Sequence, residues 1–332
     1  MSPRILALLL APLAALPGRA ASALEPVTSL DERARGLERP PPNLSHILLD
    51  GSAETRFHLT TRARFSEGEE SFGPGSTWGF ELKVLGRVLD GLALGVVLPF
   101  ALDAPRGSGS EVGLVGNLRV SLAASAGRLR LGARDTGPSL GLTFGLDAYA
   151  PTGSSPDSGC SDRSICPNAA RAAALSAYEP ELYLRDAVMG RPRAQLDLQA
   201  GAFRAAIEAA LVPGIYALGP REGDAFLRYG FASRLSLDVA ATAQPFVEVV
   251  AGGTLSHPPL VPGTAAARGG FDPDAERIQV NVGTRLFAKD FAPAVFATVE
   301  VEPAVVFFGV DLAGVVRPPV RRRERFEAGF GR

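Results

Sequence analysis

The sequence predicts an all-β protein, an antiparallel transmembrane β-barrel of about 12 strands. Three observations predict this fold class. Stretches of about 10 to 14 residues alternate apolar and polar side chains with a period of two. Long polar connections alternate with short ones along the chain. An export signal precedes the first alternating stretch.

The composition of the chain excludes several function classes. Of its 332 residues, 46% are hydrophobic and 21% are charged, and the formal net charge is −1. Intrinsic disorder requires lower hydrophobicity or a larger net charge. A nucleic-acid-binding protein usually carries a clear basic excess. The predicted partners are therefore outer-membrane lipid and a small-molecule solute, with no nucleic acid.

The first 23 residues are predicted to be a secretory signal peptide. Arg4 supplies a positive start, and Ile5–Leu16 is an apolar run broken only by one proline. Ala21 and Ala23 form a small-x-small cleavage site before a polar stretch. The apolar run is too short for a spanning helix, which needs about 20 residues. We expect the mature chain to be exported.

The two cysteines, Cys160 and Cys166, lie in a polar connection. An exported chain meets an oxidising compartment, so we predict a disulfide that closes a small loop. A free reactive pair is the alternative. Zinc would need four ligands, and no histidine lies nearby in the sequence, so we predict neither a metal nor a cofactor.

Period-two alternation defines the predicted strands, because successive side chains on a strand point to opposite faces. In Ser139–Tyr149, every second residue from Leu140 to Leu146 is apolar. Arg277–Phe287 sets an equivalent apolar face against arginine, glutamine and asparagine. A helix would instead show apolar spacings of three and four. Each of these segments is predicted to be a strand with one apolar and one polar face.

Two architectures accommodate such strands. In a soluble, exported β-sandwich the apolar face is the core, whereas in an outer-membrane barrel it meets lipid and the polar face lines the lumen. The length of the strands favours the barrel, since a bilayer needs about 9–11 tilted residues. Aromatic residues near segment ends favour it too, since they are typical of interfacial girdles. They are Phe65, Trp78, Phe100, Tyr149, Tyr178 and Phe287.

The alternation of long and short connections sets the strand count. Met189–Pro192 is predicted to be a short turn that follows a strand around Leu182. Arg193–Ala217 is then one strand, in which a β-bulge near Phe203-Arg204 shifts the apolar face. A hairpin would also shift the face, but it would break the alternation. The result is twelve strands with both chain ends in the periplasm.

The predicted organisation has four parts. Residues 1–23 are the signal peptide, and residues 24–51, with a Pro40-Pro41-Pro42 cluster, form a periplasmic N-terminal segment. Residues 52–316 form the barrel, and residues 317–332 form a basic C-terminal tail. The predicted location is the outer membrane of a Gram-negative bacterium.

The polar faces of the strands are predicted to line the lumen. One interpretation is that these side chains are ion-paired scaffold filling a small barrel. Another is that they select the solutes of a narrow pore. Their slight arginine excess suggests a weak preference for anions. The predicted lining residues are Arg56, His58, Arg62, Arg64, Glu81, Lys83, Arg119, Asp147, Asp197, Glu208, Arg228, Arg234, Asp238, Arg277, Arg285 and Glu300.

The sequence predicts no catalytic residue. The three histidines, His46, His58 and His257, show no metal-binding spacing. A hydrolase base would need a serine and an orienting acid nearby. The alternative to a channel is therefore a barrel-embedded hydrolase of lipid or peptide that uses His58 or His257.

Three short motifs carry a family resemblance. Leu98-Pro99-Phe100 ends one predicted strand, Gly113–Arg119 opens the next, and Pro151-Thr152-Gly153 closes the strand after that. With these motifs the chain, over roughly Trp78–Phe287, resembles the outer-membrane transporters grouped as the MetA-pathway phenol-degradation family. Asn117 stands where that family usually has aspartate. The resemblance implies a small-solute channel for aromatic compounds.

The sequence thus predicts an outer-membrane barrel that acts as a passive channel or uptake protein for small aromatic or anionic solutes. A barrel with a plugged lumen, serving as a structural or surface protein, is a further alternative to the hydrolase. An open lumen would distinguish the channel from the plugged barrel.

Overall fold

The computed structural model is a single antiparallel β-sheet closed into a barrel. The predicted signal peptide with Ala21 and Ala23, the Cys160–Cys166 disulfide, His257, the N-terminal segment and the basic tail lie outside the described residues and stay predictions. The structure describes residues 55–66, 75–89, 91–105, 111–131, 137–153, 171–184, 186–217, 222–239, 242–256, 276–288, 291–301 and 305–316.

The described residues contain thirteen strands. They are β1 Thr55–Ser66, β2 Gly75–Leu89, β3 Leu92–Pro105, β4 Val112–Val115, β5 Arg119–Arg130, β6 Ser139–Tyr149, β7 Ala187–Ala200, β8 Phe203–Tyr216, β9 Ala225–Leu237, β10 Ala243–Ser256, β11 Arg277–Leu286, β12 Phe291–Glu300 and β13 Val305–Val316.

The thirteen strands occupy twelve positions in the wall of the barrel. Apart from β4 and β5, each strand pairs with its neighbours in sequence, and β1 also pairs with β13, which closes the ring. β4 and β5 both pair with β3, through Phe100↔Val115 and Val97↔Arg119, so they share one position that is interrupted between them. Closure leaves no open edge, which a sheet in lipid requires. The predicted barrel of about 12 antiparallel strands is confirmed.

The barrel is apolar outside and polar inside. On β6, Leu146 is 53% exposed on the outer face, whereas the next residue, Asp147, is fully buried on the inner face. On β13, Phe308 is 61% exposed and Asp311 is fully buried. An outer face of large apolar side chains is suited to hydrocarbon and not to water. The chain is therefore a membrane-spanning barrel of the outer-membrane type, and the soluble sandwich is excluded.

The two ends of the barrel differ. We call the end of the barrel at which β1 and β3 finish the loop end. At the opposite end, which we call the turn end, short turns join β2 to β3 and β7 to β8. In outer-membrane barrels the short turns face the periplasm.

No helix in the described part of the chain combines the length and hydropathy needed to cross a membrane.

The prediction that Arg193–Ala217 forms one strand is wrong. The chain turns at Gly201, whose φ of +59° lies in the left-handed region that tight hairpins use, and it returns as β8. The predicted turn Met189–Pro192 is wrong as well, since it lies inside β7. The shift of the apolar face comes from the hairpin and not from a bulge.

The predicted strand around Leu182 is also wrong, because Pro180–Tyr183 forms a 3-10 turn inside the barrel. This error and the missed hairpin cancel, so the strand count is unchanged. Two of the predicted girdle aromatics face inward: Tyr149 and Tyr178 are each 1% exposed. Phe65 and Trp78 do lie on the outer face, where their rings meet edge to face at 5.7 Å.

Candidate functional site

A segment of the chain crosses the barrel lumen near the loop end. It is Arg171–Leu184, which precedes β7, and we call it the lumen segment. It begins with a helical turn and ends with the 3-10 turn at Pro180–Tyr183. Every residue from Ala172 to Leu184 is buried. We divide it into an alanine half, Arg171–Ala177, and an acidic half, Tyr178–Leu184.

The acidic half is held by two carboxylates that face three arginines of the wall. Glu179 contacts Arg119, lies 3.6 Å from Arg191 Nη1, and accepts a 2.8 Å hydrogen bond from the Tyr149 hydroxyl. Glu181 lies 3.5 Å from Arg191 and accepts a 3.1 Å hydrogen bond from Arg228 Nε. Hydrogen bonds in which the donor or the acceptor is ionised are roughly twice as strong as those between neutral groups.

Arg191 is the centre of this network and is fully buried. Its guanidinium carbon lies 4.0 Å from the centre of the Tyr178 ring, and its Nη2 donates a 2.9 Å hydrogen bond to the Tyr178 carbonyl. The Tyr178 hydroxyl in turn contacts Glu208 on β8. Gly230 makes room for this stack, since a Cβ there would lie 2.9 Å from Arg191 Nη2.

Asn117 attaches the acidic half to the interrupted part of the wall. Its Nδ2 donates to the carbonyls of Glu181 at 2.9 Å and Leu184 at 2.5 Å, and its backbone N–H donates to the Leu182 carbonyl at 2.6 Å. Its Oδ1 accepts a 3.0 Å hydrogen bond from the Gly153 N–H. Two of the short sequence motifs, Gly113–Arg119 and Pro151-Thr152-Gly153, thus meet at Asn117, which binds the lumen segment.

The alanine half is held mainly through its backbone. The Ala174 carbonyl accepts from Arg277 Nη2 at 2.7 Å and from Gln279 Nε2 at 3.2 Å. The Leu175 carbonyl accepts from Arg62 Nη1 at 3.2 Å, and the Ala177 N–H donates to Gln279 Oε1 at 2.8 Å. At its start, the Arg171 guanidinium forms a bidentate pair with the buried carboxylate of Asp103.

A shallow cleft separates the lumen segment from β1 and β2. Its lining includes Arg62, Glu81, Glu179 and Tyr183. The Tyr183 hydroxyl donates a 2.7 Å hydrogen bond to the Phe100 carbonyl. Burial raises the pKa of the Tyr183 hydroxyl well above its usual value, and the Glu81 carboxylate raises it further, while Arg62 opposes both. Tyr183 therefore stays a neutral donor at physiological pH.

Towards the turn end, the inner face carries further ion pairs, most of them between neighbouring strands. Asp147 lies 2.9 Å from Arg193 Nε, and Arg193 Nη1 lies 3.2 Å from Glu208. Other pairs are Arg234 with Glu248 at 2.9 Å, Arg204 with Asp238 at 2.8 Å, and Arg285 with Asp311 at 2.5 Å.

The structure places the sixteen residues that were predicted to line the lumen on the inner face of the wall. Glu81, Asp197 and Asp238 are partly exposed, and the other thirteen are buried. Most of them pair with charged residues of adjacent strands or of the lumen segment. Sequence reasoning missed several charged residues of the inner face and the lumen segment, which are Asp103, Glu179, Glu181, Arg191, Arg193, Arg204, Glu248 and Asp311.

A sequence signal for Arg191 and Arg193 was present. Together with Gln195, Asp197 and Gln199 they form a continuous polar face with period two, which runs through the predicted turn. The sequence carried no signal that Glu179 and Glu181 lie in a segment that crosses the lumen. Their spacing of two residues is also that of one face of a strand.

His58 has one acidic partner and no serine partner among the described residues. Its Nδ1 lies 3.3 Å from Asp311 Oδ2, and Asp311 Oδ1 accepts a 2.9 Å hydrogen bond from the Thr60 hydroxyl. No group of three or more potential metal ligands occurs in the described ranges. The geometry around His58 lacks the nucleophile of a serine hydrolase.

Comparison with solved structures places the fold among outer-membrane barrels. An outer-membrane channel from Pseudomonas putida F1 superposes with a TM-score of 0.53 at 12% sequence identity, over 82% of this chain and 99% of that one. The KdgM porin, solved with disordered oligogalacturonate, gives a TM-score of 0.42 at 10% identity, over 79% and 99% of the chains. Outer-membrane phospholipase A from Escherichia coli gives 0.36 at 9% identity, over 79% and 92%.

The similarity to the Pseudomonas putida channel shows that this chain has the fold of an outer-membrane β-barrel. No protein-family model matches the sequence, and no curated protein matches it. The resemblance to the MetA-pathway family is therefore not confirmed.

Proposed function

We propose that this chain is a passive outer-membrane channel for small solutes, closed in this conformation by the lumen segment. The observation that carries the proposal is the chemistry of the closure. A polar inner face extends from the loop end to the turn end, and the lumen segment lies across it. Its alanine half is held by hydrogen bonds that a polar solute or water could replace.

The charge of the inner wall favours anionic solutes. Among the described inward-facing residues of the strands, twelve arginine and lysine side chains stand against eight aspartate and glutamate side chains. Charged rings and ladders in a pore set which ions enter. The cationic excess therefore supports a preference for anions. The resemblance to the MetA-pathway family supports aromatic compounds, and small aromatic acids combine both properties.

The proposal assigns no catalytic role to any residue. A barrel-embedded hydrolase would show turnover of phospholipid or peptide by the purified protein, and a plugged structural barrel would conduct in no variant. Both outcomes differ from that of a channel.

Conductance in planar lipid bilayers tests the proposal. The wild-type chain is compared with a variant in which Arg171–Leu184 is replaced by a glycine-serine linker of equal length. Heat-modifiable mobility on a detergent gel verifies that both barrels are folded. We expect rare openings from the wild type, persistent conductance from the variant, and reversal potentials that favour chloride over potassium. A folded variant that does not conduct would refute the channel.

A further inference from the structure

We propose that Arg62, Arg277 and Gln279 form a carboxylate-binding station in the lumen, which the Ala174 and Leu175 carbonyls occupy in the closed conformation. The proposal deepens and rests on the channel function proposed above. It assigns the binding site to three wall side chains and the ligand class to small organic carboxylates.

Two strands of the inner wall contribute the station. Arg277 and Gln279 are successive inward residues of β11, and Arg62 is an inward residue of β1, which β12 and β13 separate from β11. Their donors converge on two successive carbonyl oxygens, at 2.7 and 3.2 Å for Ala174 and at 3.2 Å for Leu175. Two guanidinium groups and one amide therefore bind neutral oxygens that belong to the chain itself.

A carboxylate is a better ligand for this donor set than two carbonyls. Arginine presents planar donors that match the geometry of a carboxylate, and a charged acceptor makes a hydrogen bond about twice as strong as a neutral one. A solute carboxylate can therefore compete with the lumen segment for the same donors. In the closed conformation, the Ala174 and Leu175 carbonyls thus occupy the station as weakly bound ligands.

The two arginines of the station keep a wall partner when the lumen segment leaves it. Arg62 lies 3.3 Å from Glu81, and Arg277 Nε donates a 2.6 Å hydrogen bond to Glu300. Neither carboxylate belongs to the lumen segment, so both continue to orient the arginines. A site whose donors are already oriented loses less entropy when it binds a ligand.

Beyond Arg171, whose ion pair with Asp103 holds the start of the segment, the alanine half can leave the station because its side chains are small. Ala172, Ala173, Ala174 and Ala177 bury little apolar area each, so the release of this half exposes less apolar surface than the release of larger residues would. The solute would shift the equilibrium only through its higher affinity for the open conformation.

The test measures open probability in planar bilayers at constant ionic strength as benzoate replaces chloride. Acetate tests whether the aromatic ring contributes, and benzyl alcohol is the uncharged control. We expect benzoate and acetate to raise the open probability of the wild type and benzyl alcohol to leave it unchanged. Any effect of benzyl alcohol equal to that of benzoate would overturn the carboxylate assignment.

Three variants separate binding from closure. Arg62→Gln is expected to raise basal opening, because the Leu175 carbonyl loses its donor, and to weaken the benzoate response at least about tenfold in concentration. Gly252→Ala keeps all three station side chains, although Gly252 is the cross-strand partner of Arg277, and its Cβ would displace the Ala177 carbonyl. It is expected to raise basal opening and keep the benzoate response. Gln244→Leu removes a buried glutamine at the turn end and is expected to change neither.

Each result decides between the proposals. A wild-type benzoate response in Arg62→Gln would overturn the station and leave the channel function standing. Absence of conductance in folded wild type and folded Gly252→Ala would overturn the channel function itself. If Arg62→Gln does not fold, Arg62→Lys keeps the charge without the planar donors, and a wild-type benzoate response in that variant would equally overturn the station.

Discussion

The two halves of the lumen segment are held by different kinds of contact. The acidic half combines ion pairs to wall arginines with apolar packing of the large side chains Leu182, Tyr183 and Leu184, in a buried cluster that the small Ala172, Ala173 and Ala174 also join. The alanine half has one ion pair, between Arg171 and Asp103 at its start, and beyond it mainly presents backbone groups to wall side chains. From this difference we expect the acidic half to anchor the segment more firmly than the part of the alanine half that follows Arg171.

Removal of the Arg191 guanidinium is expected to have the largest effect on this comparison. Arg191→Ala removes the cation that Glu179 and Glu181 share and leaves both carboxylates buried. Breaking a buried ion pair in this way lowers the free energy of unfolding by about 3–5 kcal/mol. We expect the free energy of unfolding to fall by about 3 kcal/mol, at the lower end of that range, because Arg119 and Arg228 remain. Urea-dependent unfolding in detergent micelles measures it.

Arg204→Ala is the matched control for that prediction. Its guanidinium pairs at the turn end with Asp238, whose carboxylate is 15% exposed. We expect a loss of about 1 kcal/mol. Equal losses in the two variants would mean that the acidic half is not the stronger anchor.

A change at Asn117 is expected to have the next largest effect. Asn117→Asp removes the amide that donates to the Glu181 and Leu184 carbonyls and places a charged oxygen against them. Buried acceptors that lose their donors cost about 1–3 kcal/mol, so the acidic half should loosen and single-channel conductance should rise. Thr152→Val removes the hydroxyl that bonds Leu118 N–H at the same junction, and it should leave conductance unchanged.

A methyl group at Gly252 probes the movable half. A Cβ at this position would overlap the Ala177 carbonyl, whereas a Cβ at Gly190 would meet nothing within 4 Å. Overpacking of this kind costs about 1–3 kcal/mol. We expect Gly252→Ala to raise open probability and Gly190→Ala to leave it at the wild-type value. Indistinguishable recordings from the two variants would argue against a packed alanine half.

The smallest expected effect is that of pH on Tyr183. Burial raises the pKa of its hydroxyl in the folded barrel, so the stability that it contributes is present below the unfolded pKa of about 10 and is lost as pH rises above it. Conductance should therefore be constant between about pH 7 and pH 9 and increase only above pH 10. Tyr183→Phe should lose the increase above pH 10, and an increase that persists would assign it to another group.

The faces of the strands were predictable from sequence because the lipid and the lumen impose opposite polarity on alternate residues. Leu146 and Asp147 illustrate this, since neighbours in sequence lie on opposite sides of the wall. The strand count followed from the same pattern. It survived two errors because a missed hairpin at Gly201 and a false strand around Leu182 cancelled.

The lumen segment was not predictable from the same pattern. Leu182 and Leu184 alternate with Glu181 and Tyr183, which is the pattern of a strand, yet all four are buried inside the barrel. Period two distinguishes the faces of a strand only when one side is lipid or solvent. Within the lumen, ion pairs to Arg191 and Arg228 determine the position of Glu181, and such long-range contacts leave no local signal.

Residue-resolved amide hydrogen exchange tests the central claim most directly. The folded wild-type barrel in detergent is exchanged and then fragmented by electron transfer, so that the alanine half and the acidic half are measured separately. Exchange follows local opening, and its protection reports the free energy of that opening. We predict faster exchange at Ala177 and its neighbours than at Leu182 and Leu184. Equal exchange rates in both halves would contradict an anchored acidic half with a movable alanine half.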